Sequence, residues 1–289
     1  MTSDAVGTNA VGIDLVLDLL RCPLCRQPFT RVGGSVRCPS GHGFDLAKQG
    51  HLNLLGRTAP EHADTADMVG ARARFLAAGH FDPVSEVLRE LVTQEGPVGN
   101  RSRVLEVGAG TGHYISRLLD ATGGRGLALD ISPAAARRAA RAHPRLAAVV
   151  ADVWAPLPLP DIAVDVVLAV FAPRNPGEFA RVLAPGGLVV VVTPEPDHLL
   201  QLRERLGLLD IEAGKGDRLA ATMPPELGWR TSRVSRFEVD LDHGALVDLV
   251  AMGPNAFHRD PAEIDSQLRA LALPLRVSVA VTVNVWRRR

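Results

Sequence analysis

From Arg103 onward, short apolar runs alternate with segments of helical spacing. The runs are VLEV at 104–107, LALD at 127–130, AAVVAD at 147–152, VDVVLAV at 164–170 and LVVVVT at 188–193, and helical patterns start near 112, 133 and 177. Strands that read as near-continuous apolar runs, each followed by a helix, predict a parallel sheet covered on both faces. Beyond residue 230 the pattern changes. RFEVDL at 236–241, helices after Asp242 and Asp260, and the alternating run LRVSVAVTVNV at 275–285 predict a closing antiparallel pair. Upstream, 62–78 and 83–94 have helical spacing, broken at Gly79 and restarted with Asp82 as N-cap and Pro83 at the first helical position. Residues 1–18 read as an extension, helical near its end, where Ile13, Leu15, Val16, Leu19 and Leu20 fall close to one face.

At 289 residues and 46% hydrophobic, the chain can bury one full α/β core beside a smaller satellite. The first twenty residues have no basic leader, and no apolar run approaches the roughly 18 residues of a membrane span, so a cytoplasmic protein with no membrane partner is expected. Thirty-two basic residues balance thirty-two acidic ones, which gives the whole chain no signature of a nucleic-acid binder. Between 21 and 57 the balance is uneven. Arg21, Arg26, Arg31, Arg37, Lys48 and Arg57 face Asp45 alone, six minus one, or +5. Such a face could hold phosphates, or arginine could simply be the solubilising residue of a chain poor in lysine.

The three cysteines all fall between 22 and 38, too few and too close for a disulfide framework. Cys22, Cys25, Cys38 and His42 follow the spacing C-x2-C-x12-C-x3-H, which suits one tetrahedral zinc. Four protein ligands leave no open position, so the metal would be structural. A segment of 19–58 has too little apolar area to fold without such a staple. His51 is a rival fourth ligand, and buried free thiols or a redox pair at Cys22 and Cys25 are the plainer alternative. Replacing Cys22 should release the zinc and unfold the small module, with cofactor affinity largely kept.

The run 103–112 places Glu106 at a strand end and then Gly108, Gly110 and Gly112 in the turn to a helix. The GxGxG spacing favours a nucleoside without a pyrophosphate over a dinucleotide. Asp130 ends the second strand, where a carboxylate can take both ribose hydroxyls, and Asp152 ends the third. Either aspartate could instead be a cap or turn residue. The ordered set EVGAGTG, LALD, AD before a Pro-rich turn, VDVVLAVFAP and LAPGG makes residues 100–195 resemble the class I methyltransferases. That resemblance implies an α/β Rossmann-like fold with a mostly parallel seven-stranded sheet, and S-adenosylmethionine as cofactor. It places Glu106 near the methionine amino group, Gly108, Gly110, Thr111, Gly112 and His113 along the methionine and ribose, Asp130 on the ribose and Asp152 on the adenine amine.

Joined to CPLC, GHGFDLAKQGHLNLL, ARARFLAAGHFDP, FAPRNP and TPEPDHL, the pattern from about 18 to the C-terminus resembles the zinc-bearing 23S rRNA guanine-N1 methyltransferases. The resemblance implies a zinc-binding RNA-recognition domain (19–58), a helical connector (59–97) and a catalytic domain (98–289). It further implies cofactor contacts from Phe81, which replaces a tyrosine of some members, and from His198. A homodimer and a 23S rRNA hairpin as substrate are implied too, the arginines near the zinc gripping its phosphates. The DISPAAARRAARAHPR segment looks closer to the Gram-positive branch associated with macrolide resistance.

Methylating guanine N1 requires removal of a proton, with Arg174 and Asn175 as candidate donors and Glu195, Asp197 and His198 as candidate acceptors. The pattern does not choose among them, and His198 reads more readily as packing than as a base. Trp229, Phe257 and Trp286 could stack a flipped base or belong to the core, and Arg287, Arg288 and Arg289 read as a solvated tail. Two rivals stand: a small-molecule methyltransferase, and a non-catalytic zinc-dependent RNA-binding or assembly factor.

Overall fold

The apolar runs form the parallel centre of one sheet. The computed structural model describes residues 12–211, 221–257 and 259–289; residues 1–11 of the expected extension lie outside them. The central strands are β5 (Arg103–Val107), β6 (Arg125–Asp130), β7 (Leu146–Val150), β8 (Val164–Val170) and β9 (Leu183–Pro194), with β10 (Leu227–Leu241) and β11 (Leu275–Arg288) completing one edge. N-terminal to these come β1 (Thr30–Val32), β2 (Ser35–Arg37) and β3 (Gly43–Asp45), a small antiparallel sheet, and the two-residue β4 (Leu52–Asn53). The large sheet runs β10-β11-β9-β8-β5-β6-β7-β4. Pairing is parallel from β4 to β9 and antiparallel at β9–β11 and β11–β10. Strand order reverses between β5 and β8, where open α/β sheets place their ligands.

Among the described residues the helices include α1 (Ala66–Ala77), α2 (Asp82–Glu95), α3 (His113–Thr122), α4 (Pro133–Ala139), α5 (Pro176–Val182), α6 (Leu200–Leu206), α7 (His243–Ala251) and α8 (Pro261–Arg269). One face of the sheet is covered by apolar side chains of α1, α2 and α3, among them Phe75, Leu88, Ile115 and Leu118. Helices α4, α7 and α8 begin at Ser132, Asp242 and Asp260, whose side chains accept from Ala135, Ala245 and Ala262 N–H. Asp82 is not a cap. Phe81 takes that position after Gly79 turns the chain at φ +82°, and the Asp82 carboxylate pairs instead with Arg117 at 2.9 Å.

Among the described residues the sheet has eight strands where seven were expected, because β4 extends it beyond β7 through Leu52↔Val149 and Asn53↔Val150. An uncovered β7 would present an open edge, and β4 closes it. Residues 12–19 are part of the core as well. They form two 3-10 turns whose Ile13, Val16 and Leu19 pack with Leu127, Leu129 and Val149. A Cβ on Gly12 would lie 2.6 Å from the Leu146 carbonyl oxygen, so only glycine fits there. The metal-ligand segment joins the same cluster through Leu20, Cys22, Phe29, Val36 and Cys38, against Leu157, Leu159 and Phe179. It therefore shares the apolar core on the second side of the sheet.

Polar contacts fix this docking. Arg21 N–H donates to the Pro158 carbonyl at 2.8 Å, and the Arg26 guanidinium donates to the Leu157 and Leu159 carbonyls, each at 2.7 Å. At the C-terminus, Arg287 donates to the Glu95 carbonyl, Arg288 to the Leu183 carbonyl and the Arg289 N–H to the Glu226 carbonyl at 2.9 Å, so all three residues expected to form a solvated tail are tied to the body. Arg26→Ala removes two charge-assisted hydrogen bonds and should cost about 2 kcal/mol in urea unfolding. Bound zinc should stay at wild-type stoichiometry by atomic absorption, because the ligands are untouched.

Candidate active site and metal centre

Cys22, Cys25, Cys38 and His42 converge, with their ligand atoms all within 4.8 Å of one another. The separations are 3.5 Å for Cys22 Sγ to His42 Nδ1, 3.5 Å for Cys25 Sγ to Cys38 Sγ and 3.4 Å for Cys38 Sγ to His42 Nδ1. A tetrahedral zinc with Zn–S near 2.3 Å and Zn–N near 2.0 Å has edges of roughly 3.5 to 3.8 Å, so the four residues fit that ion. Two tight turns aim them. Cys22 N–H and O bond to Gln27 O and Arg26 N–H, while Cys38 does the same with His42 O and Gly41 N–H, Gly41 sitting at φ +85°. The Gln27 N–H, above all, pulls the Cys25 thiol down to about 6 and favours the thiolate a metal needs. His51 stands outside the cluster, its ring buried and its Nδ1 without a hydrogen-bond partner.

A cavity of about 400 Å3 opens at the C-terminal ends of β5, β6, β7 and β8. Phe81, Glu106, Gly108, Gly110, Thr111, His113, Asp130 and Asp152 line it, eight of the ten residues expected at the cofactor. Gly112, at φ +74°, shapes the turn without lining the cavity. His198 stands a layer behind. Its ring contacts Phe81 at 6.0 Å and Phe171 at 5.8 Å between centroids, and its Nδ1 accepts from Ala280 N–H at 3.3 Å. Burial pushes His198 down to about 4, so it is a neutral imidazole that supports the two phenyl rings.

The glycine turn is held from both sides. A Cβ on Gly108 would meet the Ala172 methyl at 2.6 Å, and its φ of +58° is one that larger residues rarely adopt. Asp130 accepts from Gly110 N–H and from Ser132 N–H, each at 2.8 Å, fixing the turn and the start of α4 with one carboxylate. Burial nevertheless raises its pKa, only partly opposed by those donors. Glu106 is more extreme: it is 1% exposed, accepts from Ile115 N–H at 3.1 Å, and desolvation pushes it up to about 8. Asp152 accepts from Trp154 N–H and pairs with Arg57 at 3.0 Å, so the chain leaving the metal module touches the cavity wall.

The candidates after β8 and β9 divide clearly. Asn175 caps α5, accepting from Glu178 N–H and donating to the Val153 carbonyl at 3.0 Å. Glu195 accepts from Thr282, and Asp197 pairs with Arg236 at 3.1 Å. Arg174, half-buried and with its pKa lowered by desolvation, has no hydrogen bond among the described residues. Of the aromatics considered for stacking, Phe257 lines the cavity, Trp286 is core and Trp229 is exposed near the start of β10, away from the cavity lining. Trp154 and Phe171 were missed. Both are exposed at the cavity, and Trp154 was within reach of the sequence, two residues past Asp152.

A glycine turn, buried carboxylates at successive strand ends and a stapled four-ligand hairpin define a class I S-adenosylmethionine-dependent methyltransferase fused to a zinc ribbon. Residues 104–187 match the family described as methyltransferase domain, and residues 20–57 match the zinc ribbon family described as RlmA, N-terminal. The fold is similar to the crystal structure of MccD protein, at TM-score 0.50 and 17% identity over 72% of this chain and 99% of that one. The chain is 44% identical to the 23S rRNA (guanine(748)-N(1))-methyltransferase of Streptomyces fradiae, covering 94% of this chain and 98% of that protein. A Micromonospora griseorubida protein with the matching 23S rRNA (guanine-N(1)-)-methyltransferase designation is 43% identical, with the same coverage. The chain belongs to this family of 23S rRNA guanine-N1 methyltransferases.

The Glu106 shift has a signed consequence for stability. A carboxyl whose folded pKa is raised from 4.5 to about 8 contributes stability in full below about 4.5 and loses it as pH rises through 8. Glu106→Gln should therefore gain on the wild type in cofactor-free thermal melts as pH rises from 5 to about 8.5. An unchanged difference would remove the buried-carboxylate account.

Proposed function

We propose that this chain transfers the methyl group of S-adenosylmethionine to N1 of a guanine in a hairpin loop of 23S rRNA. The observation that carries this reading is end-to-end similarity to the Streptomyces fradiae enzyme, zinc ribbon included, in a chain whose cavity brings together eight of the ten expected cofactor residues.

In this reading Cys22, Cys25, Cys38 and His42 hold one structural zinc. Glu106 faces the methionine ammonium, Asp130 the ribose hydroxyls and Asp152 the adenine amine, with Phe81 and the Gly108 to His113 turn packing along the cofactor. A positively charged ligand would turn the cost of ionising a desolvated Glu106 into an attraction. The sulfonium supplies an activated methyl group when bound, which leaves the chain to align N1 in line with it and exclude water. Trp154, Phe171 and Phe257 offer ring faces on which a flipped guanine can stack. As N1 loses its proton, negative charge grows at O6. Arg174, next in the chain to the cavity-lining Pro173, is the candidate donor with no competing hydrogen bond among the described residues, and a desolvated guanidinium suits that task. A homodimer, and a link to macrolide resistance, remain part of the proposal on family grounds.

Purified protein incubated with labelled S-adenosylmethionine and unmodified 23S rRNA should label the RNA and create a reverse-transcription stop at one guanine, because N1 methylation blocks base pairing. Label entering only small metabolites would end the RNA reading. Cys22→Ser should lose about one zinc per chain. The Arg57–Asp152 pair and the β4–β7 pairing revise the expectation of unaltered cofactor binding: calorimetry should show S-adenosylmethionine affinity falling several-fold, by roughly 1 kcal/mol for the loss of one such contact.

A further inference from the structure

We propose that a second groove, rimmed by arginines of α3 and α4, holds the phosphodiester backbone of the RNA beside the target guanine; this rests on the rRNA methyltransferase reading above. The groove has a volume of about 660 Å3 and lies between α1, α3 and α4. It shares Leu76, Thr111 and His113 with the methyl-transfer cavity, so a strand in one reaches the other across a common wall.

The rim carries Arg117, Arg137, Arg138 and Arg141 against a single acid, Asp120, whose carboxylate lies 3.1 Å from His143. Arg117 has only an exposed pair with Asp82, an interaction worth little in water. Arg137, Arg138 and Arg141 are exposed, and their side chains have no hydrogen bond or ion pair among the described residues. This matters because the basic stretch singled out near the zinc is largely engaged within the molecule. Arg21 donates to the Asp18 and Leu20 carbonyls, Arg26 to Leu157 and Leu159, Arg31 pairs with Asp14 and Arg57 with Asp152. In a chain with no net charge, the α4 cluster is therefore a group of free positive charges beside the cavity, where Arg174 stands singly.

The walls select the part of the nucleotide. Ala66, Gly70 and Ala73 of α1 and Ala134 of α4 keep the floor shallow, so an anion can approach the guanidinium forks closely. No phenylalanine, tyrosine or tryptophan lines the groove, whereas the cavity has Trp154, Phe171 and Phe257. Bases stack on aromatic faces and phosphates take bidentate hydrogen bonds from arginine, so the division of residues fits bases in the cavity and backbone in the groove.

The test is the triple variant Arg137→Ala, Arg138→Ala, Arg141→Ala, assayed on an unmodified 23S rRNA transcript that the wild type methylates. Each single-strand phosphate contact contributes about 0.7 to the slope of log affinity against log salt, so the slope should fall by about 2. Between 50 and 200 mM salt the wild type should then lose about 20-fold more RNA affinity than the variant, while kcat and S-adenosylmethionine affinity are kept. The corresponding triple lysine variant, which retains the charges, should restore most of the slope. An unchanged KM and salt slope in a variant that still binds S-adenosylmethionine would overturn the groove assignment. So would a change of oligomeric mass with an unchanged slope, which would give the groove to a second copy of the chain. A wild type that methylates no RNA would overturn the functional reading itself, and the groove with it.

Discussion

The structure depends on how the second face of its sheet is covered. A parallel sheet cannot leave an apolar face in water, and in this chain the 3-10 turns lie against β7 while the zinc-ligand hairpins join the same apolar cluster beside Leu157, Leu159 and Phe179. Those hairpins are too small to hold their own shape, so the metal that staples them also completes the catalytic domain's core. Cys22 and Cys38 are buried in the same cluster as Leu127 and Val149, residues of strands β6 and β7 whose ends border the cavity. The metal module and the methyl-transfer site are one packed body, joined further by β4 at the sheet edge and by Arg26 on the 157–159 segment.

That union bears on the chemistry. Glu106 and Asp130 are carboxylates in a desolvated cavity, each held by backbone N–H donors, Glu106 with no positive charge beside it and Asp130 with Arg72 nearby. Ionising carboxylates so placed is costly, and a ligand that brings positive charge or hydroxyl donors would relieve that cost. Rigid walls keep such a cavity from collapsing around its own carboxylates. The glycine turn, packed on Ala172 and pinned by Asp130, supplies one wall, and the Asp152 loop, tied to Arg57, supplies another.

Much of this was legible in the sequence. The strand runs, the GxGxG turn and the C-x2-C-x12-C-x3-H spacing are local signals, and each fell where its period or spacing indicated. What escaped was set by tertiary contact. Two-residue β4 carries no periodicity, and nothing in residues 12–19 tells a buried turn from an extension. Charge near the zinc could not be separated from charge used for docking, since Arg26 and Arg57 find partners more than ninety residues away. Likewise Asn175, Glu195 and Asp197 carry the right chemistry for catalysis but are engaged by a helix start, Thr282 and Arg236.

Native-state hydrogen exchange with and without a zinc chelator measures the claimed unity most directly, read at Leu54 N–H, which bonds to the Val150 carbonyl at 2.9 Å, and at Trp154 N–H on Asp152. If the metal module and catalytic sheet are one body, stripping zinc should speed exchange at both amides along with those of residues 22–42. Full protection at Leu54 and Trp154 while residues 22–42 exchange freely would contradict the account, and would make the zinc module a separate appendage.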